Sequence, residues 1–509
     1  MRRLLALCLL ALPSLATAQP VIVSAMPDKV AVTVYRDPNG SGAMNLRWLN
    51  GFALISETRI VYLPAGESEL RFEGVAGGLL PQSAVVSGLG DSVRDKNRDA
   101  KLLSPGTLLD ASLGKRVTLR RTSRVTGKVT EQEAVIRAAA NGVVVETASG
   151  IEALRCDGET ETLLAAQVPE TLSAKPTLSI HVQSAQAYRG PVTLTYLSSD
   201  FDWRAHYVAT LGSDGETLSL FAWLTLANGD ETSFADADTM AVAGRLNRED
   251  AERLRPEARP ISLNCWPSQR THEGLTVDED QFDLTGTVTV EGLMAPPPPP
   301  APEAESIVVT GARMMKAERE DLGDLKLYRI PIAVSVASRS QKQVAMIEQP
   351  KVKFRTLFRW RAAFDTVRDE SSPAERLLIF ENRQADGLGL PLPSGSFTLY
   401  AEHDGRPFLI GEGRMTDRAV GEKVEVPISN APGVRVSQRL VVERAHKRSD
   451  IELIATNDQP VAVPFEAVFA DSGIPTGRAL KKRDGEWVWS TTIPANGSKT
   501  LRFRYRNPD

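Results

Sequence analysis

A mainly β chain is what this sequence predicts: several antiparallel β-sandwich or barrel-like units, few helices, and one Pro-rich disordered insertion. Three observations carry that expectation. Short runs alternate apolar with polar residues and are rich in β-branched side chains, as at Val30, Val32 and Val34. Turn clusters punctuate them, from Asp37-Pro38-Asn39-Gly40 near the start to Asp484-Gly485 near the end. Helical periodicity is nearly absent between the runs, which argues for sandwiches over a parallel α/β sheet.

The first element is an expected export leader over 1–18. Arg2 and Arg3 form its basic start, residues 4–12 are apolar, and Pro13 and Ser14 break the run. Ala16, Thr17 and Ala18 supply small residues for cleavage after Ala18. The apolar run is shorter than the roughly 20 residues that span a bilayer. No Cys follows the cut for lipid attachment, and no later stretch reaches membrane length. The expected location is periplasmic or secreted, with no transmembrane segment after cleavage.

At 509 residues the chain has room for about three domains. Hydrophobic residues make up 42% and charged residues 24%, an ordinary globular balance. The formal net charge of -4 becomes -6 once Arg2 and Arg3 leave with the leader. There is no basic excess to neutralise phosphates, so nucleic acid is not an expected partner. Of the three cysteines, Cys8 leaves with the leader, and Cys156 and Cys265 remain in an oxidising compartment. Structural zinc takes about four ligands, and this pair has no Cys or His close by in sequence. A Cys156–Cys265 disulfide is the preferred reading, with two separate buried thiols as the other. Closing so long a loop would stabilise the fold by on the order of 4 kcal/mol in the chain-entropy model.

The mature chain then divides by pattern. Strand signals at 30–35, 52–63 and 69–72, with turns between them, predict an N-terminal β-sandwich over 19–90. Runs at 116–121, 134–136, 142–147 and 151–154 predict a small barrel-like unit over 91–172. Its arginines, Arg116, Arg120, Arg121 and Arg124, are read as a solvated strand face in preference to a binding face. A β-rich region follows over 173–267, with strands at 178–182, 191–197 and 218–226 and one helix-like stretch at 247–254. Residues 268–325 break the pattern. Acidic residues there precede five consecutive prolines at 296–300, a composition that favours an extended linker or insertion. Strand signals resume at 326–330 and continue to 502–505, giving a second β-rich part over 326–509 that ends in a C-terminal sandwich.

Catalytic signatures are scarce. The chain has no GxxxxGK[ST], HExxH or GxSxG motif. Gly90-Asp91-Ser92-Val93 is similar to the serine block of a lipase-like hydrolase family, yet no Asp stands three residues before any His to complete a triad. The five histidines, His181, His206, His272, His403 and His446, are scattered and show no metal-ligand spacing. His206 has the richest setting, following Asp200, Phe201, Asp202, Trp203 and Arg204 and preceding Tyr207. Two carboxylates, an Arg and a His within seven positions suit an acid/base site. The preferred reading makes Trp203 and Tyr207 core anchors with polar neighbours at a strand end. Asp230, Glu231, Asp236 and Asp238 offer oxygen ligands for calcium but lack the EF-hand arrangement, so a solvated loop is preferred.

Several blocks together carry a resemblance. Asp202-Trp203-Arg204 with Tyr207, the strand at 218–227 and Asn228-Gly229-Asp230-Glu231 come first. Tyr328-Arg329-Ile330-Pro331, Ser340-Gln341-Lys342-Gln343-Val344 and the block from Leu392 through Ser394, Gly395 and Ser396 to Tyr400 follow in order. Over roughly 190–509 the chain thereby resembles the mucoidy-inhibitor-like family of secreted bacterial proteins. That family's C-terminal region is catalogued as a domain of unknown function, so the resemblance implies no catalytic residues. Where many relatives have a coiled coil after the N-terminal β domain, this chain shows no sustained heptads. Separately, residues 305–313 are similar to a segment near the start of many TonB-dependent outer-membrane receptors. Ile307, Val308, Val309, Thr310 and Gly311 are the candidate partner-binding strand there.

The function expected from the sequence is a non-catalytic binding or scaffold protein of the envelope, with no catalytic residue, metal or cofactor assigned. Its expected partner is an envelope protein or glycan. Two alternatives stay open: an envelope-glycan hydrolase using Asp200, Asp202 and His206, and a TonB-coupled partner acting through 305–313.

Overall fold

The computed structural model describes residues 19–37, 40, 44–99, 102–123, 126–139, 142–154, 160–169, 172–244, 316–323, 325–362, 370–444, 448–469 and 474–506. The expected leader over 1–18, Cys156, Cys265, Arg124, the 247–254 stretch and the 305–313 segment lie outside the described residues. The described chain is mainly β, with 31 strands and a single α-helix. The strands fall into five sheets, and none closes into a barrel. The described residues divide into two compact units, a large one within 19–97, 179–244 and 316–506 and a small one within 98–178.

In the large unit, the longest N-terminal strand, Phe52–Leu63, sits inside an eight-stranded sheet. It pairs with Lys29–Tyr35 on one side and with Tyr188–Ser199 on the other. Strands from 29–87 and from 188–243 therefore share one sheet. The alternation seen in the sequence holds: Ala53, Ile55, Glu57, Arg59, Val61 and Leu63 are buried. The intervening residues face outward, where Ser56 meets Thr195 at 2.9 Å and Thr58 meets Thr193 at 3.0 Å. Phe234–Ala243 extends this sheet in parallel to Lys29–Tyr35, and Leu325–Arg329 pairs antiparallel with Phe234–Ala243. Strands from both flanks of the Pro-rich stretch are thus neighbours.

One face of the eight-stranded sheet meets a four-stranded sheet that contains Val21–Ser24 and Gly66–Glu73. There the Arg59 guanidinium donates to the Ser24 carbonyl at 2.6 Å and lies over the Phe72 ring. Toward its other end the same face meets a five-stranded sheet, ordered 340–353, 217–228, 201–211, 395–403 and 406–415. Trp203 fixes that junction. Its indole N–H donates to the Val242 carbonyl at 2.9 Å, and its ring packs on Tyr328 at 5.7 Å.

The C-terminal part is a nine-stranded sheet around its own core of Phe358, Leu453, Phe465, Phe469, Trp489 and Phe503. Phe469 and Phe503 stack edge-on at 4.9 Å although their strands are not neighbours in the sheet. On this sheet Arg359 bridges Glu425 and Glu466, and Arg483 holds Glu466 at 2.7 Å.

The small unit has one five-stranded antiparallel sheet covering Leu109 of the helix Pro105–Ala111. The helix begins at a capping box in which Ser104 and Thr107 satisfy each other's backbone N–H. The barrel expected here is an open sheet instead. Its order ends at the short strands Gly150–Ala153 and Thr160–Leu164, which do not pair with each other. The arginine row is paired across strands: Arg116 with Glu133, Arg120 with Glu131, and Arg121 with Glu152 and Glu161.

The Arg359 guanidinium, helped by Lys423, pulls the Glu425 carboxyl down to about 2. A folded-state value below the unfolded one of roughly 4.3 makes this pair stabilising above the unfolded value. That stabilisation drains away as pH falls from there through about 2. In urea titrations at pH 6, Glu425→Gln should unfold at lower denaturant than the native chain, and the gap should close as the pH approaches 2.

Candidate functional site

The strand Phe201–Leu211 sorts its side chains by parity. Trp203, Ala205, Tyr207 and Ala209 enter the core, and the Tyr207 hydroxyl donates to the Pro393 carbonyl at 2.7 Å. The even positions carry the polar groups singled out in the sequence, and the structure separates them. Asp200 stands in the turn before the strand, at φ +67°, where its carbonyl accepts from Gly229 N–H at 2.8 Å. Asp202 is buried. Its Oδ1 accepts from the backbone N–H of Asp37 at 3.0 Å and of Trp203 at 2.8 Å, and its Oδ2 accepts from Arg204 at 3.2 Å. Burial raises the Asp202 pKa, against the pull of those N–H donors and of Arg204.

Asp230 is used in the same way. Its Oδ1 accepts from Gly77 and Thr232 N–H at 3.0 and 2.8 Å, and its Oδ2 accepts from Gly78 N–H at 2.7 Å. Desolvation raises its pKa, and the same three donors lower it. Gly229, before it, has no room for a side chain, since a Cβ would stand 2.3 Å from the Leu46 carbonyl oxygen. The loop's other acids go elsewhere. Asp236 is exposed, and Asp238 lies 3.4 Å from Arg329. Asp230 is a loop anchor.

Of the Asp200, Asp202 and His206 set, His206 lines an open cavity that neither aspartate lines. Register places it in a row across four strands: Trp223, His206, Ser396 and Arg414. Paired residues share a face, so these four side chains emerge together. The next row on that face is Phe221, Val208, Thr398 and Glu412. His206 Nδ1 shares a hydrogen bond with the Ser396 hydroxyl. The strand Lys423–Arg444 forms the opposite wall with Pro427, Ile428, Ser429 and Asn430, and Glu375 adds a carboxylate. The strands 406–415 and Lys423–Arg444 come close together because two glycines lack side chains. A Cβ at Gly413 would meet the Pro427 carbonyl oxygen at 1.9 Å, and one at Gly411 would meet that of Ile428 at 2.6 Å. The groove between them holds about 560 Å³.

Chemically the groove mixes donors and acceptors. Arg414 donates, Glu375 and Glu412 accept, and Ser396, Thr398, Ser429 and Asn430 do both. Neither Asp200 nor Asp202 lines it. The sequence pointed to His206 but missed Ser396, Glu412, Arg414 and Glu375 as its companions. Only pairing between segments some 190 positions apart assembles them, and no local pattern reports that.

The chain matches no protein-family model, and no curated protein sequence matches it either.

Asp230→Ala would strand three backbone N–H groups in the interior. It should cost on the order of 3 kcal/mol in urea unfolding, and Asp230→Asn, which keeps one acceptor oxygen, should recover part of that.

Proposed function

We propose that this chain is an exported, non-catalytic binding module of the bacterial cell envelope, with the His206–Ser396 groove as its ligand site. The groove carries the reading: hydrogen-bonding groups of both kinds stand on the rigid face of a sheet, in a space large enough for a small ligand. Its donors and acceptors suit a hydroxyl-rich partner such as an envelope glycan. The leader pattern at 1–18, with cleavage after Ala18, supports export to the periplasm or beyond. The ordered blocks from Asp202 to Tyr400 support a place in the mucoidy-inhibitor-like family.

The hydrolase alternative requires two carboxylates converging with His206 on one bond. Asp202 instead holds the backbone of Asp37 and Trp203, and Asp200 shapes the turn before the strand. This argues against turnover by the Asp200, Asp202 and His206 set.

The test is co-sedimentation of the mature chain with envelope polysaccharides and peptidoglycan fragments, alongside a reducing-end assay on the same panel. Retention without turnover is expected, and Arg414→Ala with Glu412→Gln should weaken retention about tenfold at an unchanged melting temperature. Turnover by the native chain that is lost in His206→Ala would refute the non-catalytic reading. Absence of retention across the panel would refute this ligand site.

A further inference from the structure

The strands Lys423–Arg444 and Arg448–Asn457 pair out to Arg444 and Arg448, and Gly497–Arg506 flanks the second of them. At this end of the C-terminal sheet three consecutive apolar side chains meet water. Leu440 is 44% exposed, Val441 51% and Val442 44%. Val441 is the extra residue where the register shifts between Leu440 and Val442. Leu440 stands in register with Ile451 and Phe503, where the core of this sheet runs out. An exposed aliphatic run of this kind is unfavourable in water and marks a contact surface.

Charge at the same strand end is positive. Register sets it in three rows across the three strands: Arg439, Glu452 and Arg502, then Val442, Asp450 and Arg504, then Arg444, Arg448 and Arg506. Arg439 and Arg502 hold the Glu452 carboxylate between them, and Arg504 meets Asp450 at 3.2 Å. Over 439–444, 448–452 and 502–506, six arginines stand against three carboxylates, Glu443, Asp450 and Glu452, a formal +3 in a chain of net charge -4. The neighbouring edge strand Ile474–Thr476 carries no charge. Aliphatic side chains set among arginines complement an anionic lipid surface, where phosphates take the guanidiniums and the headgroup–acyl boundary takes the hydrocarbon. A soluble polyanion would engage the arginines and leave the apolar run in water. We propose that this strand end docks on an anionic lipid membrane through Leu440, Val441, Val442 and the arginine rows beside them. The His206 groove uses the same strand at 427–430, so the two surfaces are distinct and this one does not depend on the reading given to the groove.

Co-sedimentation with phosphatidylglycerol–phosphatidylcholine vesicles tests this, with pure phosphatidylcholine vesicles as the control. The chain from Gln19 onward keeps every described residue and leaves out the apolar run at 4–12, which could bind lipid itself. Arg439 and Arg502 are left in place because they hold the buried Glu452, so the informative variants are Val441→Asp and the triple change of Arg444, Arg448 and Arg506 to Gln. Binding to the anionic vesicles but not to the control is expected, weakened about tenfold or more by each variant at an unchanged melting temperature. The proposal is overturned if the anionic vesicles are not bound, if both vesicles are bound equally, or if both folded variants bind like the native chain. Loss with the arginine changes alone, Val441→Asp binding normally, would overturn it in favour of a soluble polyanion. A dimer in sedimentation velocity that Val441→Asp dissociates, without vesicle binding, would overturn it in favour of a second copy of the chain.

Discussion

Two charged side chains with no exposure to water, Glu57 and Arg59, lie at the centre of the N-terminal sandwich. They are two residues apart on one strand and therefore point into the same interior. Neither would be tolerated alone, since removing one partner of a buried pair strands a charge in a medium that cannot solvate it. The interior around them supplies what water would have given. Arg59 donates to Glu57 and to the Ser24 carbonyl, and lies over Phe72. The Tyr196 hydroxyl donates to Glu57 at 2.6 Å while accepting from Ala76 N–H at 3.0 Å. Burial, with Glu57 beside it, holds the Tyr196 phenol well above its ordinary value, so it stays a donor. Apart from the Arg59–Glu57 pair itself, the bonds in this network join distant stretches of chain, near residues 24, 76 and 196, and the contacts of Arg59 with Ser24 and Phe72 tie the two sheets together.

The same logic recurs where the sequence looked most like chemistry. Asp202 and Asp230 satisfy backbone N–H groups of segments far away in sequence, near residues 37 and 77, and have little capacity left for a substrate. Carboxylates used this way tie the early strands to the region after 188. The groove residues differ in kind. Ser396, Glu412 and Arg414 emerge from a sheet face whose opposite side is already packed, so they can change without opening the core.

Much of the strand content was legible in the sequence, because a half-buried strand writes a period of two, as at 30–34 and 53–63. The role of Trp203 and Tyr207 as core anchors was legible too, since large rings among short polar residues have few other uses. Pairing was not. Phe52–Leu63 joins Tyr188–Ser199 across an entire interposed unit, and nothing local in either strand names its partner. The small unit's strands read correctly as strands, but an open sheet and a barrel share the same alternation, and only the edge strands tell them apart. For the site, His206 could be noticed by its neighbours in sequence, whereas its neighbours in space come from strands near 396 and 414.

The most direct test of the buried network is a double-mutant cycle on Glu57 and Arg59, read by urea unfolding of the full chain. Glu57→Gln and Arg59→Met should each cost about 3–5 kcal/mol, and the double variant far less than their sum, because no lone charge then remains buried. Single variants as stable as the native chain, or costs that simply add, would contradict the claim that this pair organises the sandwich.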